Sequence, residues 1–521
     1  MILSSFPRRC ANCFGATFFL VMGWKLILLL LTAQPIPAND AFFYDGPVVN
    51  YLLHGHYCNP TLAVPFPFSA NHIYSVYPPF YQAVLYPWMA VFGTSARSAM
   101  WFHLLLFAAY AVTLLAIFRR LGVPAAAVNV AGLFLLGITF DDRPDGLAQL
   151  LGMLAIYAWV RSLPAPTARW PWLAAVCVVL ACCTNPEIGG LYLGWLWLLG
   201  LGAAGLRQSR LPLAPMLCMT LAPAALVALI KFGRPDLWAG FMEHASQTPS
   251  LTHLRVPAAG ELLKLFRTIP ALLVVALLLG VRGWGKTGQR WPNLVGQADA
   301  RPAILLVSGL LVAVALAVAG LVVFTANWLL ILAHFQPLLV GLFLGLEARQ
   351  SPQPRSVSRL VLRLMAAVVA VRAVGMTTWG VACAYDRSYD GSLQIVRNQL
   401  RRTRPESTVV MSSAYLYDAQ RFNHLHFINE DWTHRTEKLP VNINGDTLGL
   451  LKLRPAALIL TQFDYYRRYQ IPLGELRALP ELLTVTTTNF ARLPAPDSFP
   501  RFQQVVQHVG WAPVVVQLDW K

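Results

Sequence analysis

Asp40, beside Asn39 and ahead of Asp45, is the carboxylate of this chain best placed for acid–base chemistry. A carboxylate takes a proton from an attacking hydroxyl when it lies within about 3 Å of it. Two other roles are open to Asp40: a solvated charge at a helix end, or an N-cap, worth about 1 kcal/mol to the helix that follows. More acids gather at Asp141, Asp142 and Asp145, the last within Arg143-Pro144-Asp145-Gly146-Leu147. Asp145 has four roles open: capping a helix, pairing with Arg143, holding an acceptor amine or hydroxyl, or sharing a divalent metal ion with Asp40. Glu187 follows in Thr184-Asn185-Pro186-Glu187.

These acids stand in a chain that is otherwise greasy. Of its 521 residues 56% are hydrophobic and 12% charged, with a mean hydropathy of +0.52. Soluble domains carry about 25% charged residues. Repeated apolar runs of about 20 residues mean membrane spans. Lipid cannot satisfy open backbone groups, so the runs must be helices. The net charge of +17 would suggest nucleic acid in a soluble chain. Here the basic residues sit in short loops between apolar runs, as the positive-inside rule requires, and no nucleic-acid partner is expected. Cys10 and Cys13 form a CxxC with no second pair to complete a zinc site.

The apolar runs predict spans near 11–33, 98–118, 124–140, 146–162, 170–184, 188–206, 211–231, 267–281, 302–325, 328–346 and 358–381, about eleven in all. The first is read as a retained span rather than a signal peptide, because many spans follow. Residues 34–97 form a long, Pro-rich outer loop with two short helices. One, 40–54, lies at the membrane surface with Phe42, Phe43, Val49, Leu52 and Leu53 on its apolar side. The other, 79–92, opens on Pro78-Pro79 and stops at Gly93. It is only half inserted: if it crossed, Arg119-Arg120, Arg161, Arg169, Arg207 and Arg210 would all fall outside.

The layout thus places residues 1–383 in a transmembrane domain. Residues 384–521 change character, alternating polar helices such as 391–402 with strands at Thr408–Met411, Ala457–Leu460 and Val514–Val516. That pattern predicts a small soluble α/β domain. An odd number of spans places it on the outer side of the membrane.

One order of features ties the loop together: an outer-end acid, an amphipathic helix ending in Leu52-Leu53-His54-Gly55, then Tyr77-Pro78-Pro79-Phe80, a half-helix, and Phe92-Gly93-Thr94-Ser95. This order resembles the polyprenyl-phosphate-dependent glycosyltransferases of the GT-C type, the class of the protein O-mannosyltransferases and aminoarabinose transferases. In that family an Asp, usually followed by Glu, precedes the Gly by the register of Asp40 to Gly55. Here Ala41 holds the Glu position. The family's Arg-x-Asp outer loop is matched by Arg143-Pro144-Asp145. Its Thr-Lys-Pro is matched by Thr184-Asn185-Pro186, with Asn for Lys. Its late Arg-Tyr-x-x-Pro has only His334-Phe335-Gln336-Pro337 as a counterpart.

The resemblance implies a bacterial inner (plasma) membrane enzyme among membrane lipids, with its active site and C-terminal domain extracytoplasmic. It would take a sugar from a polyprenyl-phosphate donor to a glycan, lipid or protein acceptor. Asp40 is then the general base and Asp145 its catalytic companion. No cofactor is certain; a divalent ion on Asp40 and Asp145 is the one open. The departing phosphate needs positive charge, and Arg143, Lys231, Arg234, His244 and His334 are the candidates. Snorkelling explains Lys231 and Arg234 equally well. Asp45, Tyr77 and Glu187 are candidates for holding substrate, although interfacial aromatic belts also explain the tyrosine. A transporter of lipid-linked sugars would carry mid-span charges and internal repeats, and a non-catalytic envelope scaffold would carry loop acids incidentally. The runs show almost no mid-span charge and no repeat.

Overall fold

A computed structural model describes residues 13–32, 41–62, 67–74, 77–138, 143–163, 169–205, 212–245, 302–308 and 333–350. Beyond these it describes most of 367–385, then 387–404, 407–415, 417, 425–427, most of 447–478, 480–492 and 510–521. Asp40, Asp141, Asp142 and the expected span 267–281 lie outside the described residues.

The first helix, α1 (Ala16–Thr32), packs beside Ala125–Leu133, which tightens into a 3-10 turn at Phe134–Gly137. Lys25 sits in the middle of α1. Its ammonium donates to the Ile138 carbonyl at 2.7 Å and lies 4.8 Å from the Phe107 ring centroid. This charge interrupts an otherwise apolar run, and its partner is a carbonyl freed where the tightened helix ends.

Among the described residues, Ala96–Arg120, Pro186–Gly205 and Leu213–Gly233 are long and apolar enough to cross a membrane. Ala16–Leu31, Ala125–Gly137, Arg169–Cys182 and Gln336–Ala348 are shorter apolar helices. Asp145–Ser162 packs against Ala96–Arg120 and Arg169–Cys182. Small residues allow close approach: a Cβ on Gly152 would stand 2.1 Å from the Tyr192 ring.

Two expected helices come out differently. In the described part of the run 328–346, from residue 333 on, a turn at His334-Phe335 precedes Gln336–Gln350. Pro337 lacks an N–H and tolerates only a first turn, so the helix begins there. The surface helix 40–54 is broken into α2 (Ala41–Tyr44) and α3 (Gly46–His54). Pro47 is the cause, because inside a continuous helix its ring would strike the Phe43 carbonyl. The joint falls on Asp45. Gly55 closes α3 in the left-handed region at φ 75°, its N–H donating to the Tyr51 carbonyl at 2.9 Å. The half-helix, Phe80–Phe92, keeps its expected bounds between Pro79 and Gly93.

The C-terminal residues build a five-stranded sheet in the order β2-β1-β3-β5-β4. Here β1 is Val409–Met411, β2 Leu425–Phe427, β3 Ala457–Thr461, β4 Leu482–Asn489 and β5 Pro513–Trp520. β1 runs parallel to β2 and β3, while β5 lies antiparallel between β3 and β4. β1, β3 and the first half of β5 are buried throughout, which is why their apolar runs mark them in sequence. β4, a threonine-rich edge strand, has no such mark. Tyr389–Arg402 forms the expected helix, capped by Ser388 Oγ accepting from the Gly391 N–H at 3.2 Å.

Candidate active site

Three proline turns converge on one place. In Thr184-Asn185-Pro186-Glu187, Asn185 caps the following helix: its Oδ1 accepts from the N–H groups of Glu187 at 3.0 Å and Ile188 at 3.3 Å. That bond orients the amide, so its Nδ2 is free to donate to Asp145 Oδ1 at 2.7 Å. The other oxygen of Asp145 accepts from Arg143 Nε at 3.0 Å, an ion pair whose side chains are 20% and 12% exposed. The third turn, Tyr77-Pro78-Pro79, is fastened to the first through the Phe80 N–H, which donates to the Cys183 carbonyl at 3.2 Å. Burial raises the Tyr77 phenol pKa above its ordinary value; the nearby Glu187 and Asp145 charges add to this, while a bond with Tyr44 and the Arg143 charge oppose it. Tyr77, Arg143, Asp145, Asn185 and Glu187 therefore form one polar cluster at the ends of three helices.

A second carboxylate is buried beside it. Asp45 occupies the capping position ahead of Gly46 but makes no capping bond. Its side chain turns inward and is 0% exposed. Tyr81 Oη donates to Oδ1 at 2.8 Å, and Tyr417 Oη, from the C-terminal domain, donates to Oδ2 at 2.5 Å. Tyr81 Oη also lies 3.2 Å from His103 Nε2. Burial raises the Asp45 carboxyl from 3.8 to about 7, against the lowering effect of the Tyr417 and Tyr81 bonds. Near neutrality it thus holds a proton part of the time. When it does, Tyr81 has His103 as an alternative acceptor. Asp45 joins the acid cluster through its neighbour: the Tyr44 and Tyr77 rings meet edge to face at 5.0 Å.

The remaining candidates make their contacts elsewhere. Arg234 grips Asp236 with two bonds, at 3.0 and 2.6 Å, on the surface. Lys231 lies over the rings of Phe232 and Trp238 at 5.6 and 5.5 Å. The helix that follows them, Pro235–Ala245, returns to the outer loop, where Glu243 accepts from the Phe68 and Ser69 N–H groups at 2.9 and 3.1 Å. His334 is buried, and its backbone carbonyl accepts from Tyr110 Oη. The side chain of His244 lies outside the described residues.

Among the described residues, no group of three or more His, Cys, Asp or Glu side chains converges to hold a metal ion. Asp145 has Arg143 as its counter-charge and Asn185 on its other oxygen. This donor set does not fit a cation, and a shared ion would depend on Asp40.

Sequence reasoning passed over Tyr81, His103 and Tyr417. Tyr81 carried a local signal, lying just inside the half-helix after Pro78-Pro79. Nothing in the sequence around Tyr417 points at Asp45.

No family model matches the chain, and no curated protein matches it. Among solved structures, the chain is similar to the aminoarabinose transferase ArnT from Cupriavidus metallidurans in its apo state, at 15% identity and a TM-score of 0.50. The match covers 96% of each chain, so the fold is that of this GT-C glycosyltransferase, a polytopic membrane architecture. The oligosaccharyltransferase AglB from Archaeoglobus fulgidus, solved with an inhibitory peptide and a dolichol-phosphate, aligns at 11% identity and a TM-score of 0.45. That match covers 95% of this chain and 77% of AglB.

Proposed function

We propose that this chain is a membrane glycosyltransferase that moves a sugar from a polyprenyl-phosphate donor to an extracytoplasmic acceptor. The observation that carries the reading is the cluster of Tyr77, Arg143, Asp145, Asn185 and Glu187, gathered from three turns onto one face of an ArnT-like fold. Charged groups brought together from separate turns, one of them with its pKa raised by burial and by a neighbouring acid, are a pattern that functional sites use.

In this reading Asp40 is the general base. The acceptor O–H or N–H gives its proton to Asp40 while the acceptor atom bonds to the sugar's anomeric carbon. The bond from that carbon to the donor phosphate breaks, and polyprenyl phosphate leaves with the electron pair. Arg143, held in direction by Asp145, which Asn185 holds in turn, is the cation of this cluster that would meet that negative charge. Lys231, Arg234 and His334 remain candidates for the phosphate, and Asp45, Tyr77 and Glu187 for substrate. Tyr77 and Glu187 supply hydroxyl and carboxylate partners for a sugar or an acceptor. About eleven spans would place this site and the C-terminal domain outside a bacterial inner membrane. A divalent ion enters only if Asp40 provides what the surroundings of Asp145 do not.

Purified protein in nanodiscs, given synthetic polyprenyl-phosphate-linked hexoses and pentoses, tests this directly. Sugar release or transfer is expected from the wild-type chain and is expected to be lost in Asp40→Asn, with insertion unchanged. A wild-type chain that leaves every donor intact, together with an unchanged envelope glycan profile in cells lacking it, overturns the reading.

A further inference from the structure

We propose that Tyr417 is a positioning residue: its bond to Asp45 latches the C-terminal domain onto the first outer loop and holds that loop against the acid cluster. The catalytic consequence rests on the transferase reading above; the latch itself does not.

The geometry makes Asp45 the joint of three segments. It sits at the break between α2 and α3, Tyr81 reaches it from the half-helix, and Tyr417 reaches it from the sheet domain. Tyr81 and Asp45 are both 0% exposed and Tyr417 4%, so water does not compete for these bonds. A hydroxyl donating to a buried carboxylate forms a strong, charge-assisted bond. Removing one donor leaves an oxygen buried without its partner. Among the described residues, further contacts join the same parts, including an apolar cluster to which both contribute. The β2 strand lies against the Pro60–Leu62 turn, and Arg97 pairs with Asp390 at 2.5 Å. That ion pair is about half exposed at each side chain, 47% and 55%, and exposed pairs contribute little. The buried bond is therefore the specific one.

What the latch holds follows from sequence adjacency. Tyr44 immediately precedes Asp45 and carries the edge contact to Tyr77, which feels the charges of Glu187, Asp145 and Arg143. A shift of Asp45 must move Tyr44, and with it one wall of the cluster. Asp40 lies on the same short stretch of chain. A misplacement of about 1 Å at such a site costs on the order of a hundredfold in rate. The C-terminal domain would then act on the reaction through one hydroxyl, without touching a reacting atom.

The test uses the full chain in nanodiscs and compares Tyr417→Phe, Asp45→Asn and the double variant with Tyr415→Phe. Among the described residues the Tyr415 hydroxyl bonds within its own domain, to the Trp511 carbonyl at 2.9 Å, so its variant controls for loosening of the sheet domain itself. Amide hydrogen exchange over residues 41–54 is expected to rise about fivefold or more in Tyr417→Phe and in Asp45→Asn, with no further rise in the double variant. Tyr415→Phe is expected to leave it unchanged. Exchange in Tyr417→Phe equal to wild type overturns the latch, as does an equal rise in Tyr415→Phe. With a polyprenyl-phosphate-linked sugar that the wild type turns over, Tyr417→Phe is expected to lower kcat about tenfold or more while donor KM stays within about twofold. A loosened loop with unchanged kcat overturns the positioning role. If the wild type turns over no donor, the transferase reading falls, and the exchange result still decides the latch.

Discussion

Asn185 Nδ2 and Asp145 Oδ1 are 2.7 Å apart across two helix starts, with Asn185 Oδ1 simultaneously capping its own helix. One amide thereby serves a helix end with its oxygen and a catalytic candidate with its nitrogen. The position where the GT-C enzymes that the sequence resembles carry a lysine is used here to orient an acid.

That dual use can be separated. Asn185→Ser keeps a capping oxygen but loses the bond to Asp145, whereas Asn185→Ala loses both. The alanine variant is expected to cost about 1–3 kcal/mol, the serine variant less, read as apparent melting temperature in detergent. If the bond to Asp145 serves the reaction, both variants lose sugar transfer to a similar extent despite their different stabilities.

Asp45 predicts a pH dependence of known sign. Its carboxyl moves from 3.8 to about 7 on burial, so between those values the folded chain holds more protons than the unfolded one. Its contribution to stability is fully present below about pH 4 and is lost as pH rises through about 7, by roughly 4 kcal/mol at most. Apparent melting temperatures measured from pH 4 to 8 should carry this fall, and Asp45→Asn should flatten it. An unaltered profile in the variant would show that other groups set the slope.

Tyr81→Phe removes a donor that opposes the upward shift of Asp45. The carboxyl should then titrate higher still, and the pH window of the fall in stability should move upward relative to wild type. The same melting series checks it.

Gly46, next to Asp45, has no room for a side chain. An added Cβ would stand 2.7 Å from Asn59 Nδ2 and 2.9 Å from its Oδ1, and Asn59 is 0% exposed. Gly46→Ala is expected to cost about 1–3 kcal/mol by overpacking. Adding Asn59→Ala should recover part of that loss, which a double-mutant cycle on apparent melting temperature measures.

Much of the frame was legible because its signals are local. Helix Phe80–Phe92 lies between Pro78-Pro79 and Gly93, and each breaker acts through its own backbone. Helices such as Ala96–Arg120 announced themselves by uninterrupted apolar length. β1, β3 and β5 did so by short runs of β-branched and apolar residues, while edge strand β4 lacked the burial that writes such a run and β2 is only three residues long. The resemblance that grouped Arg143, Asp145 and Tyr77 with the first loop is likewise a matter of short motifs in order.

Other properties had no local signal. Asp45 reads in sequence as one more acid of the first loop and a candidate for holding substrate, and its buried bonds come from Tyr81, 36 residues on, and Tyr417, 372 residues on. The use of Asn185 as an orienting group depends on a turn 40 residues before it. The partner of Lys25, the Ile138 carbonyl, comes from a helix end 113 residues on. Sequence alone marked most of the described helices, the prolines and glycines that bound them, and which acids stand near helix ends, because sterics and apolar length act within a few residues. Tertiary structure alone decided which of those acids are buried, paired or brought together. A carboxylate's protonation and orientation are set by whatever desolvates it and donates to it, and here those groups arrive from opposite ends of the chain.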